Sequence, residues 1–313
     1  MATYIQLQES DVQKIAELHG LALIDFAPME GGASSKSNHL LHSRQGRHVL
    51  SVFKPKRLDL VARLGQLLLL LAKHKFPTSR LLLSVQGEAT TTYREMPVMI
   101  KVYITGQVCR ELDQTMLRQI GAAMAGMHQL SVPDHLLDKQ PYGKAALSSV
   151  AGHGADPEYG TWIVQRLAYL EQRLPQELPQ SFIHGDLFYD NVLFVGKKLK
   201  AFIDFEDALY YYKGFDLGMG IVGLCNRESV VALEKVRALV AGYEQIRPLE
   251  DKEKEALQLF SEYAATLVSC WRYWKYNIDT PMAIKAREYR SMVRIAERIG
   301  DIPQARFLEA VSG

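Results

Sequence analysis

Between residues 184 and 205 the chain reads H-G-D-L-F-Y-D-N-V-L-F, then V-G-K-K-L-K-A, then F-I-D-F. This stretch restricts the possible fold more than any other. Residues 192–195 and 199–203 have the apolar, β-branched and aromatic content of two short strands, and Gly196-Lys197-Lys198 is a turn between them. A hairpin of that length brings Asp204 back beside Asn191, which itself follows Asp186 by five residues. Two carboxylates and an amide, separated along the chain, therefore converge. Such oxygen ligands suit Mg²⁺, which takes one or two from protein and the rest from phosphate and water. A loop aspartate within hydrogen-bond reach of an alcohol can accept its proton. Asx residues at loop ends often only satisfy backbone groups. Here H-x-D, N, an apolar hairpin and I-D-F occur together, and the combination points to phosphoryl transfer.

The segment resembles the aminoglycoside/choline/homoserine phosphotransferase family, small-molecule kinases with a protein-kinase-like fold. E-G-G-A-S-S-K-S-N at 30–38, G-R-H-V-L-S-V-F at 46–53, A-G-Y-E-Q-I-R-P-L at 241–249 and R-Y-W at 272–274 look most like its homoserine kinase branch, the type II enzymes. The resemblance spans roughly residues 20 to 300 and implies a fold of class α+β. A small β-rich nucleotide-binding lobe would occupy 1–104, and a larger, mostly helical catalytic and substrate lobe 105–313, with ATP in the cleft. It also implies roles. Asp186 would be the catalytic base, with Asn191 and Asp204 as Mg²⁺ ligands. His184 would brace the loop and Asp216, in G-F-D-L, would tie it to the following helix. Gly31, Gly32, Ser34 and Ser35 would cover the phosphates, where glycine permits close backbone approach. Met99, Lys101 and Tyr103 would lie where the hinge meets adenine. The acceptor would be a small alcohol, with a homoserine-like amino alcohol favoured.

The departures from the family pattern are specific. Ser51 stands where a kinase lysine is expected in the third strand, and Gln66 stands where its helical glutamate partner is expected. Joint loss is coherent, because a lone buried charge is costly. Lys54 is a possible substitute, but strand alternation points it away from the Ser51 face. The branch has H-A-D, D-F-Y and N-D-W-C where this chain has H-G-D, D-F-E and G-L-C-N at 223–226. Glu206 and Asp207 thus add negative charge beside the metal residues. Glu206, Tyr210 and Arg272 are the substrate-side candidates, and Arg272 could clamp a carboxylate bidentately. An aminoglycoside- or choline-type alcohol, or a catalytically weak nucleotide-binding regulator, remain alternatives. A protein kinase is a poorer match, because no A-P-E segment follows I-D-F.

The 313 residues are 48% hydrophobic and 23% charged, ordinary for a globular chain with a sizeable core. A net charge of +2 argues against broad capture of nucleic acid or anionic membrane. Cys109, Cys225 and Cys270 are too dispersed for a disulfide framework or a zinc site. The opening M-A-T-Y-I-Q-L-Q-E-S-D has no signal-peptide pattern, and the densest apolar run, 67–72, is too short to span a bilayer. A cytoplasmic protein is expected.

Periodicity predicts a helix over 10–19 capped by Ser10, strands at 22–28, 37–43 and 47–53, and a helix over 58–75 that stops before Pro77. Strands follow near 80–85 and 96–104, with a crossing at Ile104-Thr105-Gly106. Beyond it, helices are predicted at 113–130, 156–174, 215–225, 229–245, 252–276 and 282–299. The aromatic-basic run 271–276 reads as a core helix with Lys275 left in water. His128 reads as a helix-end residue bonded to backbone or favouring the helix dipole. Tyr210, Tyr211 and Tyr212 either wall a pocket or pack a loop. His153 and Asp156 read as a surface loop without a metal partner.

Overall fold

The computed structural model describes residues 5, 7–29 and 36–313. Gly31, Gly32, Ser34 and Ser35 lie outside the described residues. The chain divides into two compact units, Met1–Gly106 with Ala201–Glu206, and Gln107–Lys200 with Asp207–Gly313.

The first unit contains α1 (Glu9–Leu18), β1 (Leu23–Pro28), β2 (Lys36–Ser43), β3 (Gly46–Phe53), α2 (Leu58–Lys73), β4 (Leu81–Leu82), β5 (Thr91–Tyr93) and β6 (Met96–Val102). The strands form one antiparallel sheet in the order β1-β2-β3-β6-β4, with β5 also on β6. Helix α1 starts one residue before Ser10, because the Asp11 carboxylate accepts the Gln8 N–H at 3.1 Å and caps the turn instead. Period-two alternation divides the sheet faces. Leu41, Leu50, Val52, Val98 and Ile100 point one way and join Val12, Ile15 and Ala16 of α1 in a buried cluster. Each such side chain contributes about 1.5–3 kcal/mol relative to exposure. The register pairs Asn38 with Ser51 and Ser51 with Met99 on the other face. Lys36, two residues before Asn38, and Lys101, two after Met99, share that polar face.

The segment 201–206 belongs to this unit for a packing reason. The Phe202 N–H donates to the Pro77 carbonyl at 2.9 Å. The rings of Phe202 and Phe205 meet Phe76 edge-on, at 5.8 and 6.1 Å between centroids.

The second unit is mostly helical. After the short β7 (Gln107–Val108) come α3 (Gln114–Met127), α4 (Tyr142–Ala145), α5 (Leu147–Ala151) and α6 (Pro157–Glu171). The strands β8 (Gln180–Ile183), β9 (Val192–Val195), β10 (Lys198–Phe202) and β11 (Leu209–Tyr212) follow, and then α7 (Lys213–Leu224). β9 lies between β10 and β7, so the 192–203 hairpin forms as its sequence predicts. β8 pairs with β11, which makes the Tyr210–Tyr212 run a strand rather than a loop. A small hairpin, β12 (Asn226–Arg227) with β13 (Val230–Val231), displaces the start of α8 (Leu233–Glu244) from the expected 229. The chain ends with α9 (Asp251–Tyr273), α10 (Tyr289–Gly300) and α11 (Gln304–Ser312). Glycine allows α3 and α8 to touch backbone to backbone. A Cβ on Gly121 would stand 2.0 Å from the Leu239 carbonyl oxygen, and one on Gly242 would stand 2.1 Å from that of Arg118.

Two expectations fail at the end of α9. The helix widens into a π-turn at Trp274–Asp279, and Lys275 is buried against Asp279 at 2.7 Å rather than left in water. Residues 283–288 run as turns before α10, and Asn277 Nδ2 donates to the Ala286 carbonyl at 3.0 Å. The α+β architecture matches the expectation, with the antiparallel sheet N-terminal and helices C-terminal. Among the described residues, no helix is long and apolar enough to cross a membrane.

Candidate active site

In the second unit, the loop after β8 is fixed by one buried carboxylate. Asp216 sits in the first turn of α7 and has no solvent exposure. Its Oδ1 accepts the Gly185 N–H at 2.9 Å and its Oδ2 the His184 N–H at 3.1 Å. His128 Nε2 reaches the same Oδ2 at 3.0 Å, and His128 Nδ1 meets the Tyr243 hydroxyl at 2.8 Å. His128 therefore bonds side chains, not the backbone expected of a helix-end histidine. Burial alone would raise the Asp216 pKa. The hydrogen bond and charge of His128, the charge of His184 and the Gly185 N–H outweigh it and hold the group below the usual carboxylate range.

This frame sets Asp186. Its N–H donates to His184 Nδ1 at 3.3 Å, and Asn191 Nδ2 donates to its carbonyl oxygen at 2.8 Å and its Oδ2 at 3.1 Å. Asp186 is partly exposed while Asn191 is buried at the end of a 3₁₀ turn entering β9. Gly185 has φ +80°, and a Cβ there would stand 2.4 Å from the Asp207 carbonyl oxygen. The glycine of H-G-D thus occupies a backbone conformation that favours glycine. Gly223 of α7 is also required, since a Cβ there would stand 2.6 Å from the Leu187 carbonyl oxygen.

In the first unit, Lys36 on the polar sheet face meets Asp204 and Glu206 of the segment that follows β10. Asp204 has φ 68°, a left-handed conformation uncommon outside glycine and characteristic of constrained functional positions. Lys36 Nζ donates to Asp204 Oδ1 at 2.7 Å and also to Glu206 Oε1. The Lys36 and Glu206 side chains are 5% and 9% exposed, whereas Asp204 keeps 38%, so the open carboxylate is Asp204. Burial opposes ionisation of Asp204, but Lys36 overrides it and takes the pKa down to about 2. Burial pushes Glu206 up, with Lys36 pulling against it. Burial would lower Lys36, and the two carboxylates more than reverse this. Lys101 falls to about 8 through burial and the nearby Lys36 charge.

The other predicted positions are scattered. Met99 and Lys101 lie inside β6, and Tyr103 just beyond it, with the Arg47 guanidinium 4.3 Å over its ring. Tyr210 is an exposed β11 residue opposite Phe182. Arg272 on α9 donates to Ser291 Oγ at 3.2 Å. Asp156 caps α6 through the Tyr159 N–H at 3.1 Å, and His153 Nδ1 meets the Tyr273 hydroxyl at 2.9 Å. Ser51 donates to Asn38 Oδ1 at 2.7 Å, and Lys54 falls past β3 at the cap of a 3₁₀ turn. Sequence reasoning missed Lys36. The available signal was its parity with Asn38 on a strand whose Ser51 neighbour replaces the expected lysine.

The donor set suits a hard divalent cation. Asn191 spends its nitrogen on Asp186, so its amide oxygen is the atom that would face a cation, and Asp204 is a carboxylate held ionised. Among the described residues no group of three or more His, Cys, Asp or Glu could hold a metal ion. A cation held at either residue would complete its shell from phosphate and water.

The match to known proteins follows the same lines. Residues 25–249 match the family described as "Phosphotransferase enzyme family". The chain belongs to this family. It is 27% identical to the homoserine kinase of Rhizobium meliloti (strain 1021), over 96% of this chain and 95% of that one. It is 30% identical to the homoserine kinase of Rhodopseudomonas palustris (strain BisA53), over 85% and 84%. Among solved structures it is similar to the amicoumacin kinase hAmiN in complex with AMP-PNP and Ca²⁺, with a TM-score of 0.76 and 17% identity over 96% and 97%. It is also similar to the choline kinase LicA of Streptococcus pneumoniae, with a TM-score of 0.66 and 16% identity over 92% and 99%. The phosphotransferase is thus a small-molecule kinase with a protein-kinase-like fold, as the resemblance implied.

Proposed function

We propose that this phosphotransferase moves the γ-phosphoryl group of Mg-ATP to the hydroxyl of a small amino alcohol of the homoserine type. The observation that carries the reading is the constrained Asp186 loop within a chain that aligns almost end to end with homoserine kinases.

Asp186 is the base. Its carboxylate orients the acceptor hydroxyl and takes its proton as the oxygen attacks phosphorus in line. Asn191 holds the Asp186 carboxylate through Nδ2, so the base is set before substrate arrives. Asp216 fixes the backbone on the N-terminal side of Asp186 by two N–H acceptances, with His128 behind it. Asn191 and Asp204 are the residues that would hold Mg²⁺. When bound, the ion neutralises charge on the phosphate oxygens.

The test is incubation with labelled ATP, Mg²⁺ and a panel of homoserine, choline, ethanolamine, aminopropanol and an aminoglycoside. Label on homoserine with the highest kcat/KM supports the reading. Preference for another alcohol overturns the substrate, and label on polypeptide or on nothing overturns the reaction.

A further inference from the structure

We propose that Lys36 of β2 is the phosphate-binding lysine of this kinase and that Glu206 is its carboxylate partner. Together they replace the lysine and glutamate missing at Ser51 and Gln66. The assignment rests on the nucleotide-dependent reading given above.

Ser51 is buried in mid-strand, and its hydroxyl donates to Asn38 Oδ1 at 2.7 Å. The usual lysine position is thus occupied by a short hydrogen-bonded pair between β3 and β2. The same face receives a cation from one strand over. Lys36 precedes Asn38 by two residues, so alternation gives both side chains one direction, and Asn38 is the register partner of Ser51. The long lysine side chain covers the offset, and its ammonium ends on Asp204 at 2.7 Å.

Glu206 occupies the partner's place. A buried ammonium needs a fixed carboxylate. α2, the helix of this unit where one is expected, has Asp59 as its sole acid, in the first turn. Glu206, two residues past Asp204, is nearly buried and accepts from Lys36 Nζ. The two carboxylates are unequal. Glu206 is enclosed and anchors the ammonium, and Asp204 is open to solvent and can turn to a cation. With a cation held at Asp204, the Lys36 ammonium beside it would supply a second positive charge to stabilise the transferring phosphoryl group. Glu206 is thereby moved from the substrate side, where its sequence position suggested it, to the nucleotide side. Lys101 shares the face and is the competing lysine.

Two measurements test the assignment. In the first, binding of AMP-PNP with Mg²⁺ and of adenosine is measured by calorimetry on wild type, Lys36→Met, Glu206→Gln and the exchange variant Lys36→Ser/Ser51→Lys. The assignment predicts that Lys36→Met loses AMP-PNP affinity by about tenfold to a hundredfold while adenosine affinity stays within about twofold, a charged phosphate contact being worth about that much. Glu206→Gln shows a smaller loss in the same direction, and the exchange variant recovers part of the affinity. In the second, wild type is treated with an acyl-phosphate derivative of ATP, whose carbonyl is attacked by a lysine amine near the phosphates. The C–N amide bond forms, the acyl–phosphate C–O bond breaks, and ATP and a proton leave. Peptide mapping is expected to find the acyl group on Lys36, blocked by excess AMP-PNP, and this arm stands even if Lys36→Met fails to fold. Unchanged AMP-PNP affinity in Lys36→Met, or acylation of Lys101 with Lys36 unmodified, overturns the assignment alone. Wild type that binds no nucleotide overturns the underlying reading and the assignment with it.

Discussion

At the scale of the residue, the candidate site depends on a few positions where the backbone itself is constrained. Gly185 adopts φ +80° directly before Asp186, against the Asp207 carbonyl oxygen. Gly185→Ala is expected to destabilise the protein by about 1–3 kcal/mol from the left-handed backbone, with the close contact adding to it. Urea unfolding measures the first effect. Steady-state turnover measures the second consequence, a fall in kcat as the loop carrying Asp186 shifts. Unchanged stability and kcat would mean that the loop relaxes freely around an alanine. This position also shows the limit of reading residues alone. Asp186, Asn191 and Asp204 stand out because their types and spacing match a chemistry. Lys36 does not, because its importance arises from carboxylates 168 and 170 residues away that return to the same face.

At the scale of the element, short-range pattern was a good guide and long-range pairing was not. The first three strands and α2 fall close to their predicted bounds, because alternation and the break before Pro77 are local signals. β11 was not legible, since its partner β8 lies about thirty residues earlier and nothing in Tyr210–Tyr212 specifies it. The π-turn after α9 was equally hidden, because it accommodates a buried Lys275–Asp279 pair. Helix α7 earns its place through Asp216. Asp216→Ala would leave His128 and two loop N–H groups without their buried acceptor, a loss of about 3–5 kcal/mol. The expected result is a lower unfolding midpoint together with lost activity, and Asp216→Asn should be milder. A variant as stable as wild type would contradict the role of Asp216 in fixing the loop.

The β2–β3 hairpin makes a pH prediction. His39 and His48 are buried on the core face, and burial lowers both from the ordinary 6.5. The unfolded chain therefore takes up protons below that value which the fold refuses. Stability is expected to be full above about pH 6.5 and to fall as pH drops through the window below it. Thermal midpoints recorded from neutral to mildly acidic pH measure this, and His48→Gln should flatten the slope. A slope unchanged by that substitution would contradict the assignment to His48.

At the scale of the whole molecule, the candidate residues fall in both units. The first holds Lys36 on β2, paired with Asp204 and Glu206 of the segment after β10, and the second holds Asp186 and Asn191 on a loop fixed by Asp216. The hairpin of β9 and β10 links the two sets along the chain. The family and the α+β class were readable from the resemblance that the 184–205 stretch carries. The substrate was less so, because Arg272 and Tyr210 make contacts that a structural role explains equally well. The most direct measurement is phosphate transfer from Mg-ATP to homoserine by wild type and Asp186→Asn, with AMP-PNP binding recorded for both. A base removed from an intact nucleotide site should lower kcat by roughly a hundredfold to ten-thousandfold while AMP-PNP affinity is retained. Transfer by Asp186→Asn at the wild-type rate would contradict the account.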